Sequence, residues 1–162
     1  MKPIAIYPGS FDPISNGHLD IIQRTSMLFS KVYVVVALNP KKKYIFTADE
    51  RVMMLEKSTK HLTNIVIEKS DELLVDYASK KGDAVLVRGI RNINDYQNEI
   101  TMYQFNHALN PNIETIIMFP SASNLFISAS YIKELALFNA DISPYVPKGL
   151  AEFISETIRK RQ

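Results

Sequence analysis

Cysteine is absent from the 162 residues. That excludes a disulfide framework and a thiolate zinc site, and it agrees with a reducing compartment. The N-terminus lacks a basic segment followed by a long apolar stretch, so no secretory signal is expected. Nowhere do roughly 20 apolar residues follow one another, as a membrane span requires. A soluble, cytoplasmic protein with no membrane partner is the expectation. Charge of one sign is also missing: 19 Lys+Arg against 17 Asp+Glu leave a formal charge of +2. Without a basic stripe or cluster, nucleic acid is not an expected partner, and any anion site must be local. Two nucleotide motifs are lacking as well. The first strand is not followed by Gly-x-Gly-x-x-Gly, which speaks against an NAD or FAD dehydrogenase, and no Gly-x-x-x-x-Gly-Lys-Ser/Thr marks a P-loop NTPase. There is no metal-ligand cluster, internal repeat, low-complexity tract or linker. With 46% hydrophobic and 22% charged residues, the chain suits one globular domain spanning residues 1–162.

The most informative stretch runs from Ile4 to Asp20. Its apolar start, the Pro8, Gly9 and Pro13 that rule out a helix or ladder, and the helical spacing of Leu19, Ile22 and Leu28 read as strand, loop and helix. A strand ending in a Gly-containing loop that enters a helix gathers unpaired backbone N–H groups and the positive end of the helix dipole, which suits phosphate. His18 falls in the first turn of that helix, where an imidazole can donate to a phosphate oxygen, and Ser10 adds a second polar group. For a Gly-His pair alone an ordinary βα turn would be the better reading; the whole run is far more specific.

Further strands are expected at Lys31 to Leu38, Asn64 to Lys69, Ala84 to Val87 and Glu114 to Phe119. Thr47-Ala48-Asp49-Glu50 has capping-box spacing and opens a helix through about His61. Asp71-Glu72 opens another, ending at Gly82. Lys41, Lys42 and Lys43 follow the second strand, at the sheet edge where open α/β sheets bind ligands. Arg88, Gly89 and Arg91 follow the fourth. Two guanidiniums there call for an anion, or for structural ion pairs with Asp95 or Glu99, while Gly89 lets a ligand approach the backbone. The helix from Asp95 to Ala108 has two apolar faces, Tyr96, Ile100 and Tyr103 on one and Met102, Phe105 and Leu109 on the other. One core needs only one face, so the second predicts a subunit contact. Ser128 is read as the N-cap of a helix continuing through Ile132, Leu135 and Phe138, with Ser130 in its first turn. A last short helix covers Leu150 to Lys160. Strands alternating with helices predict a doubly wound, Rossmann-like α/β domain with a five-stranded parallel sheet.

The run YPGSFDPISNGHLD, together with NPKKKYIFTADER, VRGIRNINDYQNE and FISASYIKE, resembles the nucleotidyltransferases of the HxGH class. Within that class it is most similar to the phosphopantetheine adenylyltransferase family of bacterial coenzyme A synthesis, and Ser15 keeps the hydroxyl where the family usually has threonine. The resemblance implies transfer of AMP from ATP to 4′-phosphopantetheine, giving dephospho-coenzyme A and pyrophosphate, with Mg²⁺ carried mainly by ATP and a hexameric assembly. It implies catalytic roles for His18, Lys42 and Arg91. It places Ser10, Lys42, Leu74 and Arg88 on phosphopantetheine; from periodicity alone Leu74 reads equally as core. It places Ser10, Phe11, His18, Gly89, Ile90, Arg91, Glu99 and the segment Asn124, Leu125, Phe126, Ile127, Ser128, Ala129, Ser130 on ATP. Ala129 stands where the family has a serine, and Asn98 and Asn124 stand where aromatic residues are expected. The rival readings are the same chemistry on nicotinamide mononucleotide, or on glycerol 3-phosphate with CTP, and a nucleotide-binding module without turnover.

Overall fold

Side chains of a strand point alternately to its two faces, and here each face meets a different core. The computed structural model describes residues 4–161, so the outermost residues of the expected 1–162 domain lie outside the described part. In β1 (Ile4–Gly9) and β2 (Lys31–Ala37), Ala5, Tyr7, Val32, Val34 and Val36 enter the larger core. Ile6 and Val35 enter the smaller one on the opposite face. The apolar run of β2 is therefore continuous because both faces are covered. α1 (Asn16–Leu28), α2 (Ala48–Thr59), α5 (Ala129–Leu137) and α6 (Ala151–Arg161) supply Ile22, Leu55, Ile132 and Ile154 to the larger core. α3 (Leu74–Ser79) supplies Val75 and Ala78 to the smaller.

The sheet is completed by β3 (Ile65–Ser70), β4 (Ala84–Gly89) and β5 (Thr115–Met118). Its five strands stand in the order β3-β2-β1-β4-β5, and every neighbouring pair is parallel. The chain winds outward from β1 to β3, then crosses to β4 on the other side of β1. That reversal puts a crevice beyond the carboxyl ends of β1 and β4. The register shows how it opens: β1 pairs with β4 only from Ile4 to Ile6, whereas it stays paired with β2 through Gly9. Past Leu86, β4 continues its pairing on β5 alone. Tyr7, Pro8, Arg88 and Gly89 thus lie where the two strands part.

Most expected ends shift by one or two residues, and in α3, β4 and the helix after β4 the difference has an identifiable physical reason. α3 begins at Leu74 and ends at Ser79, shorter than the expected stretch from Asp71 to Gly82. The N–H of Glu72 donates to Ser70 Oγ at 3.2 Å, a local turn that competes with helix. β4 runs through Arg88 and Gly89 instead of stopping at Val87, because Arg88 and Gly89 pair with Ile117 and Met118 of β5. Neither apolar row of α4 (Ile93–Leu109) supplies a core: Asn106 is its one buried residue among those described. Ile100, Met102 and Phe105 are 41%, 48% and 64% exposed.

Candidate active site

The start of α1 fixes the state of His18. Ser15 is the N-cap with extended backbone, and its Oγ accepts the N–H of His18 at 3.3 Å. In return the N–H of Ser15 donates to His18 Nδ1 at 3.1 Å. This is a capping box in which an imidazole replaces the usual carboxylate. Because Nδ1 accepts, the ring proton sits on Nε2. Burial, and secondarily the Arg91 guanidinium, hold the imidazole down at about 4. At neutral pH His18 is an uncharged N–H donor. The edge of Phe11, with ring centroids 5.2 Å apart, braces the imidazole.

Around this histidine the crevice divides into two halves. One is bordered by Gly17, Arg91, Asn98, Ile127 and Ser128. The other is bordered by Ser10, Lys42, Lys43, Arg88 and Lys133. Five residues border both: Tyr7, His18, Gly89, Ala129 and Ser130. A Cβ on Gly89 would lie 2.4 Å from Ile21 Cδ1, so any larger residue there would have to displace the end of the Ile21 side chain of α1.

Of the two anticipated readings of the arginines, the ion pairs form, and they border the crevice. Arg88 donates from Nε and Nη2 to the Glu99 carboxylate at 2.7 and 2.6 Å, and from Nη1 to the Pro8 carbonyl at 3.0 Å across the gap between β1 and β4. Arg91 donates from Nε to Asp95 at 3.0 Å and from Nη1 to the Ile127 carbonyl at 2.9 Å. Asp95 and Glu99 are one turn apart on α4, so a single helix face orients both guanidiniums.

The lysine-rich loop is strapped to the β1–α1 loop from two sides. The buried Asp12 carboxylate accepts the N–H groups of Ile45 and Phe46 at 3.1 and 2.8 Å and the ammonium of Lys133 at 2.6 Å. Buried Arg51 donates from Nη1 to the carbonyls of Ser10 and Ala37 at 2.9 and 3.3 Å while stacking on Tyr44, 4.0 Å from its ring centroid. These straps hold Ser10 and the base of the Lys42 loop together while Lys42 itself stays exposed.

Of the residues singled out from sequence, Ser10, Phe11, His18, Lys42, Arg88, Gly89, Arg91, Glu99, Ile127, Ser128, Ala129 and Ser130 border the crevice. Leu74 does not; it packs against the smaller core, the alternative that periodicity allowed. Ile90 is buried. Asn124 donates from Nδ2 to Ser121 Oγ at 2.9 Å. Phe126, with Tyr131 and Tyr145, borders a separate apolar groove, and Leu125 is exposed. Sequence reasoning missed Tyr7, Asp12, Arg51 and Lys133. A signal existed for Lys133, three residues after Ser130 and so on the same helical face. None existed for Tyr7, whose place in β1 reads as core.

Fold and matched sequence together define the class. Residues 6–135 match the cytidylyltransferase-like family. A bifunctional NMN adenylyltransferase/ADP ribose pyrophosphatase of Francisella tularensis shares the fold at 17% identity and a TM-score of 0.76, over 99% of this chain and 52% of that one. Within the class the chain belongs to the phosphopantetheine adenylyltransferase family. It is 45% identical over 156 residues to the phosphopantetheine adenylyltransferase of Clostridium kluyveri, covering 96% of this chain and 93% of the relative. It is 46% identical over 152 residues to that of Streptococcus pneumoniae, covering 93% and 94%.

Proposed function

We propose that this chain transfers AMP from ATP to 4′-phosphopantetheine, giving dephospho-coenzyme A and pyrophosphate in coenzyme A biosynthesis. The observation that carries the reaction class is the two-part crevice meeting at a neutral N–H donor, with cationic side chains in each half. Membership of the phosphopantetheine adenylyltransferase family supports the acceptor. The second pKa of a phosphate monoester is near 6, so at neutral pH the acceptor is largely a dianion and needs no general base. One of its oxygens attacks the α-phosphorus of ATP in line, and the bond to the β-phosphoryl oxygen breaks with its electron pair leaving on pyrophosphate. The chain's contribution is positioning and charge stabilisation.

In this reading His18 Nε2–H donates to the phosphoryl group in flight. Lys42 and Arg91 neutralise its charge, Arg88 and Ser10 hold the acceptor's phosphate, and Gly89 with Ile127 to Ser130 embrace the nucleotide. A dianion entering beside Arg88 takes over donors now given to Glu99. Mg²⁺, when bound with the nucleotide, would add further neutralisation to the ATP phosphates. Among the described residues no group of three or more carboxylates or histidines is arranged for such an ion, and Asp95 is paired with Arg91. Magnesium held by nucleotide oxygens and water fits this donor set. The same reading takes residues 1–162 as one nucleotidyltransferase domain working in the cytoplasm as a homohexamer. No helix among the described residues is long and apolar enough to cross a membrane.

The test is pyrophosphate release from ATP with each candidate acceptor. We expect strong turnover with 4′-phosphopantetheine alone. Equal or greater turnover with nicotinamide mononucleotide would overturn the acceptor and leave the reaction class standing, while no turnover with any acceptor would favour a binding module.

A further inference from the structure

The side chain of Tyr7 is packed as core yet ends in a polar group that the protein leaves unused. The residue is 5% exposed, and its ring sits among the larger core residues against the edge of Phe11, with centroids 5.7 Å apart. No hydrogen bond of its hydroxyl to a described residue is formed. Buried polar groups are nearly always paired, so an unpaired one is informative. It is not sealed either, because among the described residues Thr115 Oγ1 is the side-chain oxygen that is both fully enclosed and without a partner. The phenol therefore opens into the crevice.

Its place there is specific. Tyr7 stands one residue beyond the last β1–β4 pair, Ile6 with Leu86, where the strands part. A Cβ built on Gly89 would lie 3.5 Å from Tyr7 Oη, which puts the hydroxyl against the bare backbone of Gly89. Tyr7 and Gly89 both border both halves of the crevice, as do His18, Ala129 and Ser130. A phosphoryl group passing from a nucleotide in one half to an acceptor in the other crosses that shared boundary.

We propose that Tyr7 is a further catalytic residue of the transfer, its phenolic O–H donating a hydrogen bond to the phosphoryl group as it crosses between the halves. The assignment rests on the AMP-transfer reading above. Burial raises the phenol above its ordinary range, against a smaller opposing pull from Arg88 and then Arg91. The group keeps its proton at physiological pH and acts as donor, not base. In the step, the bond from the acceptor oxygen to the α-phosphorus forms, the bond to the β-phosphoryl oxygen breaks, and the phenolic proton stays on Tyr7. Tyr7 and His18 would then be two uncharged donors set among cations. Such donors need no reorganisation as charge develops.

The variant Tyr7→Phe removes the hydroxyl and keeps the ring. Because that hydroxyl has no protein partner, the melting temperature should stay level or rise. Steady-state kinetics with ATP and 4′-phosphopantetheine should show kcat lower by at least about tenfold, with each KM within roughly threefold of wild type. A smaller fall in kcat, a loss carried by KM, or a lowered melting temperature accompanying the loss would overturn the assignment and return Tyr7 to the core. The wild-type control separates the two claims. An active wild type beside an unimpaired Tyr7→Phe variant refutes the role of Tyr7 alone, whereas an inactive wild type refutes the transfer itself.

Discussion

The role proposed for His18 depends on its tautomer. The capping contact from the Ser15 N–H occupies Nδ1, so the proton must be on Nε2, and burial keeps the ring uncharged down to about pH 4. Interactions made mainly in the transition state lower kcat with little change in KM. His18→Ala should fold, bind ATP within a few-fold of wild type and lose about 10²–10³ in kcat; near-normal turnover, or a loss due to ATP binding alone, would refute the role. The same site predicts a pH effect on stability. The folded pKa lies below the ordinary 6.5, so the unfolded chain binds more protons between the two values. The contribution of a neutral His18 is present above pH 6.5 and is lost as pH falls towards 4. Melting temperatures of wild type and His18→Ala across that window should converge on acidification if the assignment holds.

At this scale the sequence exposed residues whose chemistry is unusual for their place. A histidine in a helix's first turn and paired arginines after a strand are legible without coordinates. Tyr7 and Arg51 were not. Tyr7 follows the alternation of Ala5 in β1, and only the parting of β1 from β4 turns its hydroxyl toward a crevice. Arg51 lies inside α2, and its value comes from carbonyls of Ser10 and Ala37, 41 and 14 residues away.

Elements were read best where caps are encoded locally. Thr47 accepts the Glu50 N–H and Glu50 answers the Thr47 N–H, as the capping-box spacing implied, and Ser128 caps α5. α3 was overextended because acidic residues suggested a first turn, while Ser70 instead ties Glu72 into a loop. α4 is the element whose meaning changes most. Its cleft-facing Asp95 and Glu99 orient the two arginines. Its apolar side chains, with Ile116 and Ile117 of β5, remain on the surface. A helix with so little buried surface gains little from packing on its own chain, so we expect other copies to cover it. Light scattering of wild type at micromolar concentration should report a homo-oligomer, and Phe105→Glu should shift it toward monomer. A monomeric wild type would contradict this.

For the whole molecule, the strand order does what no single motif can. Placing β1 between β2 and β4 brings Ser10, Lys42, Arg88, Arg91 and Ser128, from four separate stretches, to one sheet edge. The alternation of strands and helices announced the parallel sheet. It did not announce that β1 and β4 would separate after Ile6 and Leu86, which depends on β4 moving its pairing to β5. The resulting crevice has two halves with one boundary between them, and a direct transfer across that boundary is the central claim. Transfer from ATP made chiral at the α-phosphorus tests it most directly. A single in-line displacement inverts the configuration at that phosphorus in dephospho-coenzyme A, and inversion is the predicted result. Retention would mean two displacements through an adenylylated side chain and would contradict direct transfer.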